Sequence, residues 1–241
     1  MAKTAGIILI GNEILSGKIA DLNAAHLCRE LRALGVEVRR ISVIPDEVDL
    51  IGTEAAQFSR SFDYVFTSGG VGPTHDDVTM EGIAKGLGVP VIRHPELTAR
   101  LRRGYGDQLN EARLRMAEVP EGAELLAHDL SFPAVMIRNI YILPGIPEIF
   151  REKFEAIKER FRSAPFHLRS IYVSIGEGRL TEHLNGMLRK FPDLQCGSYP
   201  KLSHPEYKVR VTLESQDREY LERAFQNLIA RLPSNTVVKV E

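Results

Sequence analysis

The sequence predicts an α/β protein: a three-layer, mainly parallel sheet with helices on both faces, followed by a small C-terminal ferredoxin-like α+β domain. Three observations carry this. Over residues 4–162, short apolar runs alternate with segments of helical period, the order that builds strand–helix–strand crossovers. The runs are apolar throughout rather than alternating, as strands covered on both faces must be. Beyond residue 165 the order becomes strand, helix, strand, strand, helix, strand, the split pattern of ferredoxin-like domains. The expected domains are 1–165 and 166–241.

Thr4–Ile10 (TAGIILI) reads as the first buried strand. Asp21–Leu34 has a helical apolar face of Leu22, Ala25, His26, Leu27, Leu31 and Leu34, and Gly35 stops it. His26 at this spacing reads as structural. Val36–Ile44 is β-rich, and Pro45 and Asp46 open a helix running to about Arg60. Phe62–Thr67 is a further buried strand and Val78–Leu87 a helix. Residues 94–118 read as two helices carrying Arg100, Arg102, Arg103, Arg113 and Arg115, either a solvated face or holders of substrate phosphates. Ala134–Arg138 and Ile140–Leu143 are strands separated by Asn139, the pattern of a hairpin. Pro144-Gly145-Ile146-Pro147 then starts a helix to about Arg162, where a proline in the first turn sacrifices no hydrogen bond. The small domain places strands at Arg169–Ile175, Leu194–Tyr199, Tyr207–Leu213 and Thr236–Val240, with helices at Leu180–Lys190 and Arg218–Leu232.

Composition narrows the function. The chain has 241 residues, 44% apolar and 26% charged, with a net charge of −1, so it has material for a core and lacks the basic excess of a general nucleic-acid binder. Cys28 and Cys196 form neither a disulfide framework nor a zinc pattern. No apolar stretch approaches the roughly 20 residues that span a bilayer. The expectation is a reduced, cytoplasmic protein with a small-molecule ligand, no nucleic acid and no membrane.

Three loops leave the carboxyl ends of predicted strands, where open α/β sheets bind ligands. The second, Ser68-Gly69-Gly70-Val71-Gly72-Pro73-Thr74-His75-Asp76-Asp77, is the most informative. Its glycines let backbone N–H groups approach an anion, and a helix N-terminus follows. It fails the dinucleotide fingerprint because His75 stands at the third glycine position. Asp76 and Asp77 would repel a phosphate unless a divalent metal sat between them. That reading stands beside a plainer one, in which Asp77 caps the following helix. His75 is a further ligand or acid–base candidate. The first loop, Gly11-Asn12-Glu13-Ile14-Leu15-Ser16-Gly17-Lys18, has the wrong spacing for a P-loop, since Lys18 is followed by Ile19. If it faces the same cleft, Glu13 adds a carboxylate, Ser16 a hydroxyl and Lys18 a charge; otherwise it is a solvated turn. The third, Leu143-Pro144-Gly145-Ile146-Pro147, offers close approach at Gly145 and free N–H groups, or is ordinary punctuation between strand and helix.

GNEILSG, TSGGVGPTHDD and LPGIP, in this order, resemble the molybdopterin-binding domain superfamily of molybdenum-cofactor biosynthesis. Within it, the chain looks like the N-terminal domain of the competence/damage-inducible CinA proteins and the molybdopterin-binding-like domain of eukaryotic FAD synthases. NIYILPGIP and SYPKLSHPEYKVRVTLES look closer to the FAD-synthase form. The resemblance implies a sheet of molybdopterin-binding type and metal-dependent cleavage of an AMP-containing dinucleotide, ADP-ribose or FAD. It carries over Glu13, Ser16, Gly69, Gly70, Gly72, Thr74, Asp76, Asp77, Gly145 and Pro147, and implies a homo-oligomer. The expected roles are catalytic for Asp76, Asp77, Glu13 and Lys18, with Asp76 and Asp77 holding Mg²⁺, Mn²⁺ or Co²⁺. Gly69, Gly70, Gly72, Thr74, Ser16, Gly145 and Pro147 would bind the ligand. The alternative is a non-catalytic module that binds molybdopterin or a nucleotide. Asn12 stands where CinA proteins usually have aspartate, and His128–Pro133 replaces their glycine-rich stretch. Neither nicotinamide-mononucleotide deamidation nor FAD synthesis is expected of this chain.

Overall fold

A computed structural model describes residues 2–201 and 205–241 and divides the chain into two compact units, residues 1–163 and 164–241. The expected stretch SYPKLSHPEYKVRVTLES thus includes Leu202–His204, which lie outside the described residues.

The first unit runs β1 (Lys3–Ile10), α1 (Asn12–Leu15), α2 (Asn23–Ala33), β2 (Val36–Ile44), α3 (Val48–Ser61), β3 (Tyr64–Ser68), α4 (Thr79–Leu87), β4 (Val91–Arg93), α5 (Pro95–Tyr105), α6 (Glu111–Leu114), β5 (Glu118–Pro120), β6 (Glu124–Leu126), β7 (Ala134–Ile137), β8 (Ile140–Leu143) and α7 (Pro147–Ile157). Its main sheet has the order β2-β1-β3-β8-β7-β6. The pairs β2–β1, β1–β3 and β3–β8 are parallel, and β7 runs antiparallel to both β8 and β6. The expected hairpin at Asn139 is therefore present, turned by Arg138 at φ 54°. Asn139 also locks it in place: its amide donates to the Ser59 and Phe62 carbonyls, and its backbone carbonyl accepts from Val65 N–H.

The sheet separates two cores. Ile7, Leu9, Phe66 and Tyr141 face α2 and α7, meeting Leu27, Leu31, Phe150 and Phe154. Ile8, Ile10, Val65 and Ile142 face the other way, toward Ile51, Phe58, Ile83 and Leu97 of α3, α4 and α5. Three layers result. Where α3 meets α4 the backbones touch: a Cβ on Gly86 would stand 2.0 Å from the Gly52 carbonyl oxygen.

The differences from expectation are local. α3 begins at Val48 rather than at Pro45, because Asp46 turns its carboxylate back to the Asn12 N–H at 2.8 Å. The second helix expected in 94–118 shrinks to one turn, and the flanking β4 and β5 pair antiparallel as a separate two-stranded sheet. Strands of three residues are too short to declare a period.

The second unit runs β9 (His167–Val173), α8 (Glu177–Leu188), β10 (Gln195–Pro200), β11 (Val209–Ser215), α9 (Arg218–Arg231) and β12 (Val237–Val240). Its antiparallel sheet, β10-β11-β9-β12, has the ferredoxin-like order and buries Ile171, Val211, Leu180 and Phe225 in its own core. Among the described residues no helix is long and apolar enough to cross a membrane.

The Gly52–Gly86 contact leaves no side chain to yield. Gly86→Ala should force α3 and α4 apart and destabilise the fold by about 1–3 kcal/mol. Chemical denaturation checks this, and an unchanged midpoint would refute the contact.

Candidate functional site

The three glycine loops meet above the carboxyl ends of β1, β3 and β8. Gly69 has φ +107°, and a Cβ there would stand 2.1 Å from the Ile10 carbonyl oxygen at the end of β1. A Cβ on Gly145 would lie 3.4 Å from the Gly69 Cα. At Gly69 only glycine permits both the conformation and the approach. A buried clamp holds the loops together. Asn23, at the start of α2 and 3% exposed, donates from Nδ2 to Ser68 Oγ and to the Gly145 carbonyl, both at 2.9 Å. Its Oδ1 is buried with no partner. Asp21 supports this turn by accepting from the N–H groups of Asn23 and Ala24.

Neither aspartate of the second loop caps α4. Its first residues are pinned instead by Thr79, whose Oγ1 donates to the Gly69 carbonyl and whose N–H donates to the Gly70 carbonyl. Asp77 Oδ2 accepts from the Thr74 N–H at 2.8 Å and from the Thr74 hydroxyl. Thr74 also helps hold the exposed Asp76 carboxyl below the ordinary carboxylate range. Arg115 closes the loop from outside, donating to the Thr74 carbonyl at 3.2 Å. Among the described residues the N–H groups of Gly70, Val71 and Gly72 meet no protein acceptor. Such a run of free amides is an anion-binding concavity.

Below these loops lies a cavity of about 830 Å³, lined by Glu13, Gly69, Gly70, Gly72, Asp77, Gly145 and Pro147 of the expected residues. Ser16, Lys18, Thr74 and Asp76 are not in its wall. The physical reason for the first two is local: the Ser16 hydroxyl bonds the Glu13 carbonyl, and Gly17 at φ +71° turns the chain to solvent. His75 points outward with its side chain 97% exposed. Of the arginines in 100–115, Arg100 lines the cavity, but its guanidinium is engaged by Glu96 and the carbonyls of His128 and Leu130.

Three residues escaped the sequence reading. Asp46 is half-buried, and burial together with the charges of Glu13, Asp76 and Asp77 raises its carboxyl above the usual range. Among the described residues no three His, Cys, Asp or Glu side chains form a metal cage, and the cavity wall takes in Glu13 and Asp77 but neither Asp76 nor Asp46. Its position just after a strand was the available signal. Asn23 looked like an ordinary polar helix residue. Lys153 lines the cavity at 7% exposure, donating to the Pro133 carbonyl at 2.7 Å with its ammonium 5.0 Å from the Phe132 ring centre. It falls within the apolar stripe Phe150, Phe154, Ile157, a placement readable from spacing.

Burial pushes Lys153 down from 10.5 to about 8. The unfolded chain therefore holds this proton more firmly, and the penalty is fully present below pH 8 and disappears as pH rises toward 10.5. At about 1.4 kcal/mol per pH unit, less the lost hydrogen bond, Lys153→Met should stabilise the fold by about 1–2 kcal/mol at pH 7. The gain should shrink toward pH 9.5. Denaturant titrations at both pH values check the sign.

The comparisons with known proteins give the family. Residues 6–163 match the family described as a probable molybdopterin binding domain, and residues 165–241 match the middle domain of FAD synthase. A protein of Archaeoglobus fulgidus is 37% identical over 219 residues, covering 90% of this chain and 93% of that one. A probable FAD synthase of Caenorhabditis elegans is 34% identical over 264 residues, covering 98% of this chain but 51% of its own length. The chain spans about half of that relative. The crystal structure of the protein CinA from Thermoplasma acidophilum aligns with TM-score 0.62 and 32% identity, over 67% of this chain and 100% of that one. The chain belongs to the molybdopterin-binding domain family, in the branch where that domain is joined to the middle domain of FAD synthase.

Proposed function

We propose that this protein is a divalent-metal-dependent pyrophosphatase that releases AMP from a dinucleotide such as ADP-ribose or FAD. The observation that carries the reading is the cavity wall that brings Glu13 and Asp77 together with Gly70, Val71 and Gly72, whose N–H groups meet no protein acceptor among the described residues. Carboxylates alone would repel a diphosphate, and amides alone would bind it without chemistry. Together they suit a diphosphate accompanied by a cation, and the all-oxygen donor set suits Mg²⁺ or Mn²⁺. Glu13, Asp46, Asp76 and Asp77 would hold the metal, which supplies charge neutralisation and an activated water. The Gly70–Gly72 amides would take the phosphate oxygens and stabilise the charge that develops on them. Asp77 ties the loop through Thr74, so the cradle is joined to that one metal carboxylate.

A second reading is favoured by a different observation. No three of these ligands are preassembled among the described residues, and the cavity wall is largely apolar. Both features suit a module that binds a pterin or nucleotide without cleaving it. We also propose self-association through edge strand β2, where Ile41 and Val43 are exposed.

The deciding measurement is AMP release from ADP-ribose, FAD and NAD by metal-stripped protein resupplied with Mg²⁺, Mn²⁺ or Co²⁺. The expected outcome is metal-dependent AMP with at least one substrate. Asp77→Asn, which can still accept from Thr74, should lower kcat by 10² or more. It should do so with an unchanged circular dichroism spectrum. Full activity in that variant would sink the mechanism, and no AMP from any pair would leave the binding module.

A further inference from the structure

The apolar stripe of α7 contains one reactive group that neither the amide cradle nor the metal carboxylates use. Lys153 stands one turn after Ile149 and is 7% exposed, and both residues line the cavity. Its side chain donates to the Pro133 carbonyl at 2.7 Å and lies 5.0 Å from the centre of the Phe132 ring. Among the described residues no carboxylate lies within ion-pair distance of it, and the opposing pull of Glu152, the residue before it, is smaller than the effect of burial. Lys3, Lys85, Lys158 and Lys239 are held the opposite way, because each faces a carboxylate that raises it. Burial instead lowers Lys153 to about 8, so about a tenth of it is free amine at pH 7.

We propose that Lys153 is a nucleophilic amine and that its end of the cavity takes an aldehyde, which it holds as a reversible imine. A lysine desolvated in an apolar pocket is the form in which this side chain does such chemistry. The step needs no further reactant. Lys153 first gives one proton to solvent. The lone pair so exposed attacks the carbonyl carbon, the N–C bond forms, and the π pair moves to oxygen. A proton passes from nitrogen to that oxygen, and the carbinolamine loses it as water to leave C=N. Addition of water reverses the sequence and releases the aldehyde. One N–H of the free amine is enough for the Pro133 carbonyl, which leaves the lone pair for the carbon. Ile149 and Phe132 keep this end of the cavity poor in water, which favours the dehydrated product. Two plainer roles fit less well. A group needed only to satisfy the Pro133 carbonyl need not be ionisable. An amine kept charged to grip an anion would share the task with other donors, and the side chains of Ile149 and Phe132 offer none.

The inference goes beyond the proposed pyrophosphatase and does not rest on it. Its test uses glycolaldehyde, which is small enough to enter the cavity and carries no phosphate. The full chain, without added metal, is incubated with glycolaldehyde and sodium cyanoborohydride at pH 7, and adducts are located by peptide mass mapping. The reductant delivers hydride to the imine carbon and fixes the adduct as a secondary amine. Lys153 should be labelled about 10-fold faster than any other lysine of the chain, following its larger share of free amine. Lys153→Arg keeps a charged donor for the Pro133 carbonyl and cannot form an imine, so the fast phase of labelling should vanish in it. Lys153→Met serves as a second unreactive control, and circular dichroism on both variants guards against loss of fold. Labelling of Lys153 no faster than that of the surface lysines, or a fast phase that survives in Lys153→Arg, would overturn the proposal. Fast labelling without AMP release under any metal would keep the amine site and remove the pyrophosphatase, and AMP release without fast labelling would do the reverse.

Discussion

The site depends on one buried amide. Asn23 joins the start of α2 to the ends of β3 and β8 through Ser68 and Gly145, in a place water does not reach. A hydrogen bond inside such a low-dielectric site is worth more than one at the surface, and losing a partner there costs more. The loops on either side have no secondary structure of their own to fix them. They hold their shape because Asn23, Thr79 and the Gly69–Ile10 contact leave each loop one position relative to the next. Glycines, carboxylates and cavity wall follow from that registration.

The fold was largely legible because its signals are long. Both faces of β1, β3 and β8 are covered, so the apolar runs carry no alternation and stand out. The hairpin at Asn139 and the helix start at Pro147 carry turn chemistry that reads directly. Of the site, the glycines of the second and third loops and the pair Glu13 and Asp77 were legible because they sit at strand ends, where the architecture itself directs attention. Ser16 and Lys18 were not brought in, because a single helical turn ending at Leu15, followed by Gly17 at φ +71°, decides their direction, and no spacing rule foretells that. Asp46 was lost to a competing reading, since Pro-Asp before a helical pattern also reads as a helix start. Tertiary proximity to Glu13 and Asp77 is what distinguishes it.

Lys153 and Asn23 teach a more general point. Each is buried on its helix, Lys153 within an apolar stripe and Asn23 beside Ala24 and Leu27, and each is more polar than packing requires. A lysine within the stripe of Phe150, Phe154 and Ile157 breaks local consistency at a stability cost. Such departures are expected at functional positions, where the surrounding fold makes up the deficit. The informative residue in a buried stripe is the one that does not belong to it.

The placement of β8 beside β3 has a consequence for assembly. These strands are neighbours in the sheet, yet the second glycine loop, three helices and the hairpin lie between them in sequence. Pairing at that separation closes a long loop at an entropic cost. The Asn23 clamp spans that seam, so the pocket exists only when this long-range pairing is in place. A guest that touches both β3 and β8 loops therefore binds the completed sheet and no earlier species. By mass action it draws the folding equilibrium forward, and occupancy and integrity become the same measurement.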